Sequence, residues 1–392
     1  MHSEIKISEL KIGMYVVEIT EQKSNFRLSN ASWIRNQSAL EQLQKSGVIK
    51  VLVDPAKRKY PKSTNPLKSV QNKSAFEHLE KTQEILNESK EVQRKVFENI
   101  QNGLQIDIDE VKKTTRNYIN TLFENPNAIG CLQNIRDKDQ YLLEHSLGVA
   151  TLTAMFARYL KLDEEVIQHM AIGAILHDIG KVDIPDRILY KPSRLTTAEF
   201  DVMKSHVTES IKRLKQTPGV SKLSLNTAAL HHEKLNGSGY PMGLGESDIP
   251  INGRIIAICD VFDALTATRC YKQSFTHTKA FEIIRRMAAE GELDEILVKR
   301  FIDCVGSYPA GSVVELSSDK LAIVDNRNIQ DTTKPRVYSF YDLTTRQYCD
   351  VSYIDLETIE NVQIVKCIKA EQYGLNMGDS VDYISKNRTK SV

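Results

Sequence analysis

Histidine and aspartate residues on the apolar faces of predicted helices constrain this chain more than any other feature of its sequence. Apolar residues follow His145 at the i+4, i+7 and i+11 positions, which places its ring on the inward face of its helix. His177 continues the apolar stripe of another helix, and Asp260 has Ile256 and Ala264 one turn to either side. The fold must therefore bring polar side chains together inside a helical core.

Burial of these groups requires partners for them. An unpaired buried polar group costs about 2–7 kcal/mol, and a charged group costs more. Taken alone, the adjacent His177 and Asp178 are equally consistent with a hydrogen-bonded core histidine, but five imidazoles and two carboxylates together indicate metal ligands. Seven ligands exceed the needs of one tetrahedral site and suit two ions about 3.5–4 Å apart that share a carboxylate. The candidates are His145, His177, Asp178, His206, His231, His232 and Asp260.

Four motifs in a fixed order resemble the HD-GYP branch of the HD phosphohydrolases. They are HxxGV at His145, HDIGK at His177, the isolated His206, and HHEKLNGSGYP at His231. The resemblance covers about residues 126–310 and implies a mainly α fold, in which an HD-type helical bundle forms the catalytic domain. It also implies that His145, His177, Asp178 and Asp260 hold one metal ion, and that Asp178, His206, His231 and His232 hold the other. Asp178 is then the bridging ligand.

The resemblance implies hydrolysis of cyclic di-GMP to the linear dinucleotide, to GMP or to both. Residue chemistry supports phosphodiester cleavage, because a hydroxide shared by two cations is a strong nucleophile near neutral pH. Asp178 and Lys181 are the predicted catalytic residues, with Lys181 in contact with the attacked phosphate. Imidazole and carboxylate ligands accept iron, manganese or zinc, and the family favours iron or manganese.

Three further residues are predicted to bind the substrate. Arg269 and Lys272 match family positions that hold the phosphates, and arginine suits bidentate contacts to oxygen; the alternative is a solvated helix end. Tyr240 lies in the GYP loop, where glycines permit unusual backbone angles and Pro241 prevents the helix from resuming. The family places this tyrosine near the dinucleotide. Alternatively, the loop ends a helix and offers its surface to signalling partner proteins.

The residue one turn before His145 predicts the number of metal ions. Some HD-GYP proteins carry a glutamate there that helps to hold a third ion, whereas this chain has Tyr141. Glu144 is rotated about 100° away on the helix and cannot replace it. A neutral phenol with a pKa near 10 is a poor ligand for a divalent ion. We therefore expect two ions, although simple packing of Tyr141 at the helix start fits the same count.

Three other positions depart from the usual family pattern. Val207 and Cys270 stand in place of prolines, and Asn236 stands in place of an acidic residue. None of the three is a predicted ligand. They are expected to affect the shape of the rim of the substrate-binding site and hence the substrate preference.

Three alternative functions stay open at this point. The first is a phosphodiesterase for a related substrate such as cyclic GMP-AMP, since base selectivity depends on pocket details. The second is a cyclic di-GMP binding or signalling module with little activity, against which the complete ligand set argues. The third is a nucleotide triphosphohydrolase, which would leave the second histidine pair and the GYP loop unexplained.

The chain is predicted to contain four segments. Residues 1–64 form a small β-containing domain with the β-rich runs MYVVEI and IKVLVD, which resembles the domain often found ahead of HD-GYP modules. Residues 65–125 form a linker and a helical connector, which could be solvated, join domains or pair two protomers in a dimer. Residues 126–310 form the catalytic domain. Residues 311–392 contain a series of short β-branched and aromatic runs, which predict a small β-rich unit.

Composition excludes several other classes of protein. Fifty-two basic and 51 acidic residues give a formal net charge of +1, so there is no field that would favour bulk nucleic-acid binding. The six cysteines are scattered without a CxxC pair. The sequence shows no secretory signal, and its longest apolar stretch falls short of the roughly 20 residues that cross a bilayer. These features predict a cytoplasmic protein.

Overall fold

The computed structural model describes residues 3–10, 14–23, 32–34, 43–53, 74–76, 79–135, 140–267, 274–326 and 331–388. The chain divides into two compact units, Met1–Pro66 and Leu67–Val392. Each unit contains its own hydrophobic core. They are therefore described separately.

The first unit contains a four-stranded antiparallel sheet with the order β1-β4-β2-β3. Buried residues include Val16 on the second strand and Val51 on the fourth. The two β-rich runs that the sequence indicated are therefore confirmed as strands. The strands are β1 (Ser3–Lys6), β2 (Tyr15–Gln22), β3 (Ser32–Trp33) and β4 (Val48–Val53).

The second unit begins with a series of helices that surround one apolar core. The longer ones are α1 (Leu79–Gln101), α2 (Ile108–Glu124), α4 (Tyr141–Tyr159), α5 (Glu164–Ile175), α7 (Thr197–Gln216), α9 (Ile251–Thr266), α10 (His277–Ala289) and α11 (Glu295–Val305). The shorter ones are α3 (Pro126–Gln133), α6 (Asp186–Leu189) and α8 (Lys222–Ala229). This architecture confirms the predicted mainly α fold class.

Helices α1 and α2 are part of this core. Their buried residues, such as Val96 and Tyr118, pack in the same cluster as Phe156 and Ile256 of the later helices. Two polar contacts also connect α1 to later helices. Lys90 Nζ lies 2.6 Å from Glu144 Oε1, and Gln93 Nε2 donates to the carbonyl of Ile175 at 3.3 Å. The two helices are therefore not a solvated connector. The four-segment division of the chain stays a prediction.

A five-stranded antiparallel sheet follows the helices, with the order β8-β7-β6-β5-β9. One of its faces, which includes Leu321 and Phe340, packs with Cys131 of α3 and with the last helix. Each predicted β-rich run of this segment forms a strand. The elements are β5 (Val313–Leu316), β6 (Lys320–Asn326), β7 (Arg336–Asp342), β8 (Gln347–Asp355), β9 (Ile364–Ile368) and α12 (Met377–Asn387).

Helix α12 was not predicted from the sequence. It presents Met377, Val381 and Ile384 to the sheet. Within the described residues, no helix combines the length and the apolar character that a membrane crossing requires.

Candidate metal centre

Five segments of the helical core bring the seven predicted ligands together. His145 lies in the first turns of α4, whereas His177 and Asp178 directly follow the end of α5. His206 lies in the middle of α7. His231 and His232 follow α8, and Asp260 lies on α9. Six of the seven are at most 3% exposed, and His232 is half-buried.

Hydrogen bonds at Nδ1 fix the orientation of four of the five imidazoles. His177, His206 and His231 each donate from Nδ1 to the carbonyl three residues earlier, at 2.6 Å in every case. His145 Nδ1 lies 2.8 Å from Asp263 Oδ2. Because carbonyl oxygens only accept hydrogen bonds, Nδ1 carries the hydrogen of the three backbone-bound rings. Their Nε2 lone pairs therefore point into the centre, as in metal sites whose ligands are oriented by a second hydrogen bond.

The ligands form two groups, which we call the inner cluster and the outer cluster. The inner cluster is His145, His177 and Asp260, and the outer cluster is His206, His231 and His232. In each cluster the candidate ligand atoms lie within 4.8 Å of one another. His145 Nε2 is 3.0 Å from Asp260 Oδ1 in the inner cluster, and Nε2 of His206 is 3.3 Å from Nε2 of His231 in the outer one.

Asp178 lies between the two clusters, with one oxygen turned to each. Its Oδ2 is 3.2 Å from His177 Nε2 and 3.6 Å from His145 Nε2. Its Oδ1 is 3.3 Å from His206 Nε2 and 3.9 Å from His231 Nε2. This arrangement suits a carboxylate that contributes one oxygen to each cluster.

The arrangement fits divalent cations and is costly without them. Two buried atoms that face the centre, His177 Nε2 and Asp178 Oδ1, make no hydrogen bond within the described residues. In addition, the facing Nε2 atoms of His206 and His231 present two lone pairs to each other. Buried polar atoms without partners are destabilising. A cation would satisfy both features.

The two clusters differ in protonation. Burial lowers the pKa of His206 to about 4 and that of His232 to about 3, and it also holds the pKa of His231 well below its usual range. These rings are therefore neutral near pH 7, the form that binds a metal. In the inner cluster burial acts in the same direction on His145, but hydrogen bonds with Asp260 and Asp263 raise its pKa. For Asp178, the neighbouring His177 and the charge of Lys181 outweigh burial and hold the pKa well below its usual range.

The turn that follows His177 and Asp178 is held against α7 by a close approach of the two backbones. A Cβ added at Gly180 would meet the carbonyl oxygen of His206 at 2.1 Å, so a larger residue would force the two segments apart. Gly180 N also donates to Ser210 Oγ at 2.8 Å. The glycine of the HDIGK motif therefore fixes the distance between Asp178 and His206.

The GYP loop forms one rim of the centre. The ring of Tyr240 lies 4.6 Å from that of His232 and 6.2 Å from that of Phe200. Buried Glu233 accepts hydrogen bonds from Met242 N at 2.7 Å and from Leu244 N at 2.9 Å. Sequence reasoning did not single out Glu233, although its place directly after the histidine pair was an available signal. Its carboxylate fixes the loop beside His232.

The predicted phosphate-binding residues lie partly outside the described structure. Lys181 Nζ is 2.5 Å from Asp178 Oδ2, so its ammonium group stands at the edge of the centre. Arg269 and Lys272 lie outside the described residues, as does Cys270. Their roles stay predictions.

Residues beside His145 bear on the predicted ion count. The ring of Tyr141 stacks on that of His145 at a centroid distance of 5.7 Å. Glu144 instead faces Lys90, which agrees with its expected rotation away from the centre. The position one turn ahead of His145 thus carries a phenol beside the inner cluster.

Comparisons with known proteins cover both parts of the chain. Residues 131–297 match the model of the HD domain, and residues 2–111 match that of a domain of unknown function, DUF3391. The second match extends past the first compact unit to include all of α1. The chain is also similar to a solved structure, the HDGYP protein Bd1817 of Bdellovibrio bacteriovorus, with a TM-score of 0.50 and 18% identity over 77% of this chain and 99% of that one. At this identity the likeness concerns the fold.

Curated relatives share more of the sequence. The cyclic di-GMP phosphodiesterase PA4108 of Pseudomonas aeruginosa is 28% identical over 91% of this chain and 89% of its own length. A cyclic di-GMP phosphodiesterase of Thermotoga maritima is 37% identical over 44% of this chain and 47% of its own length. The 3'3'-cGAMP-specific phosphodiesterase 1 of Vibrio cholerae is 38% identical over 42% of this chain and 38% of its own length. The last two matches span less than half of each relative.

Proposed function

We propose that this chain, which belongs to the HD-GYP family of HD phosphohydrolases, is a metal-dependent phosphodiesterase that hydrolyses cyclic di-GMP. The observation that carries the proposal is Asp178, whose two oxygens face two separate histidine clusters. Relatives named as cyclic di-GMP phosphodiesterases support the substrate. One of them matches nearly the whole chain.

The inner and outer clusters would each hold one divalent ion, with Asp178 shared between them. Iron and manganese suit these nitrogen and oxygen ligands. Bound divalent ions supply a nucleophile from water near neutral pH and neutralise charge on the phosphoryl oxygens. The neutral imidazoles of the outer cluster and the ionised carboxylate of Asp178 are already in the protonation states that such ions require.

The chain's own residues contribute binding and orientation. Lys181, which now pairs with Asp178 Oδ2, would use its remaining N–H donors to hold a phosphate oxygen beside the centre. The half-buried His232 and the ring of Tyr240 form the part of the rim that a nucleotide base could contact. Glu233 would keep this rim in place through its two backbone hydrogen bonds. Arg269 and Lys272 are further candidates for phosphate contacts on sequence grounds.

A second candidate substrate is cyclic GMP-AMP. Its support is the similarity to a 3'3'-cGAMP-specific phosphodiesterase, whose identity of 38% is close to the 37% of the Thermotoga maritima relative. Both substrates carry the same phosphodiester bonds, so the metal centre cannot distinguish them. The choice depends on the rim that contacts the bases.

The deciding experiment is a product assay on the full chain loaded with manganese. Cyclic di-GMP and cyclic GMP-AMP are incubated separately with the protein, and products are separated by chromatography. We expect linear dinucleotide, GMP or both from cyclic di-GMP, and no product after chelation. Hydrolysis of cyclic GMP-AMP alone would move the assignment to the second substrate. Absence of hydrolysis of either, with metal bound, would reject the proposal in favour of a binding module.

The ion count is tested separately. Protein purified anaerobically with iron and manganese supplied should approach two ions per chain by elemental analysis, because Tyr141 is a poor ligand. Three tightly held ions would show that another group completes a third site.

A further inference from the structure

A cavity of about 560 Å³ lies between the helical core and the C-terminal sheet. Helices α3, α4 and α9 form one wall. The other wall consists of the residues around β9, the segment before β5 and the start of α12. None of the seven proposed metal ligands lines this space. It is therefore separate from the metal centre.

The size of the cavity is that of a ligand site. Protein interiors contain few voids larger than a water molecule, whereas sites for small molecules enclose about 300–1,000 Å³. The space of about 560 Å³ within this second unit is partly open to solvent and falls in the size range of ligand sites. A cavity of this size suits a drug-sized molecule.

Specific contacts between the two walls fix the distance that separates them. Gly311, with φ of 82°, approaches α3 so closely that an added Cβ would meet Cys131 Cα at 2.6 Å. Beside it, Asn134 Nδ2 lies 3.4 Å from the Ala310 carbonyl oxygen. Elsewhere along the walls, Lys369 Nζ donates to the carbonyl of Thr266 at 3.3 Å. Contacts at separate places thus fix the spacing between the walls.

The lining indicates a neutral and largely apolar occupant. Leu152, Met155 and Phe262 contribute apolar surface, and the rings of Phe262 and His277 lie 5.8 Å apart at 30° to each other. Several polar side chains of the wall are already engaged: Gln133 with Thr151, Thr276 and Asn376 as helix caps, and Ser312 with His277. These hydrogen bonds occupy part of the polar lining, and the remaining polar groups could bind one or two polar atoms of a ligand.

Charge excludes the family's own substrate from this cavity. Among the described lining residues, the carboxylates of Asp263 and Glu371 outnumber the single ammonium group, that of Lys369. A cyclic dinucleotide carries two phosphates and needs local cations. Because Asp263 is already paired with His145, and Lys369 with the Thr266 carbonyl, we take the occupant to be an uncharged ring-containing molecule with one or two polar atoms.

The cavity touches the helix that carries a metal ligand. Asp263, in its wall, lies 2.8 Å from Nδ1 of His145, and Asp260 is one turn earlier on α9. Thr266, at the end of the same helix, is held by Lys369 from the second wall. A molecule that shifted α9 would move both Asp260 and the partner of His145.

We propose that this cavity is a binding site for a neutral, ring-containing small molecule, and that its occupancy is coupled to metal binding through α9. The coupling rests on the proposed function, whereas the binding site does not. Reciprocity requires that if the ligand changes metal affinity, the metal changes ligand affinity by the same factor.

The binding site is tested with N-phenyl-1-naphthylamine, a neutral aromatic amine whose fluorescence rises in apolar surroundings. The full manganese-loaded chain should bind it saturably, with one probe per chain. Leu152→Trp and Leu375→Trp, which fill the cavity from opposite walls, should each weaken binding about tenfold or more. Leu104→Trp, at an exposed leucine outside the cavity, should leave binding unchanged. Circular dichroism verifies that each variant folds.

Two results would overturn the site: no saturable binding to the wild-type chain, or unchanged affinity in whichever cavity-filling variant is folded. Titration of the wild-type chain with and without manganese tests the coupling, and we expect the probe affinity to differ about fivefold or more. Equal affinities would reject the coupling.

The two proposals fail in different ways. Probe binding by a chain that hydrolyses neither cyclic dinucleotide would reject the proposed function alone. Hydrolysis without probe binding would reject this inference alone.

Discussion

The inner and outer clusters use similar ligands but are held in different ways. In the inner cluster, the side chain of Asp263 from another helix orients His145, and no member is more than 5% exposed at its side chain. In the outer cluster, backbone carbonyls of their own segments orient His206 and His231, while the side chain of His232 is 27% exposed. The inner cluster therefore depends on tertiary packing at His145 as well as on local structure at His177, whereas the outer one depends on local structure and faces the rim.

The largest effect is expected from removing the residue that the clusters share. Asp178→Ala should abolish binding of both ions and reduce turnover by more than about 100-fold, which exceeds the effect of losing an outer-shell partner. Elemental analysis and the product assay measure this. Asp183→Ala, at an exposed carboxylate on the same segment, is the control. A variant that retains both ions and full activity would refute the bridging role.

Removing a ligand from one cluster should separate the two ions. His232→Ala takes a ligand from the outer cluster only, so metal content should fall from about two ions per chain to about one. His169→Ala is the matched control, because that ring is 31% exposed and lies outside both clusters. Loss of both ions would show that the two clusters bind metal cooperatively and are not independent sites.

An outer-shell change should affect the inner cluster alone. Asp263→Asn replaces the carboxylate that faces His145 Nδ1 with a neutral amide, which should lower metal affinity there by about 10–100-fold. Manganese titration should then show one weakened and one unchanged site. Asp303→Asn, at an exposed position on α11, controls for the substitution itself. Equal weakening of both sites would indicate that the orientation of His145 is not local to its cluster.

The smallest effect is expected at the rim. Tyr240→Ala removes an aromatic contact worth about 0.5–1.5 kcal/mol, so KM should rise about two- to tenfold while metal content stays unchanged. Tyr190→Ala, at an exposed tyrosine, is the control. Altered metal content in Tyr240→Ala would mean that the GYP loop supports the outer cluster rather than the substrate.

Short-range patterns were sufficient to predict much of this structure. Helical periodicity placed His145 and Asp260 on inward faces, and the β-rich runs after residue 310 became the five strands of the second sheet. The start of α7 is also set by a short-range feature, the capping box that Thr196 and Glu199 form three residues apart. These features depend on residues a few positions apart.

Features that depend on distant contacts were not predictable. The sequence of α1 did not indicate that Val96 packs in the main core, because the helices that bury it come later in the chain. Likewise, only the folded loop shows that Glu233 accepts hydrogen bonds from Met242 and Leu244. The contact between Asp263 and His145 Nδ1 also joins two helices that are far apart in the sequence, so spacing along the chain could not reveal it.

The contacts of α1 have a consequence for how this chain can be divided. This helix falls in the region that matches the domain of unknown function, yet Lys90 and Gln93 contact Glu144 and Ile175 of the HD-type core. Recombination that joined residues 126–310 to a different partner domain would remove the ammonium group facing Glu144 and uncover a strip of core. Within this chain, residues 79–124 would therefore have to accompany residues 126–310 in any truncation or domain exchange that keeps the helical core covered.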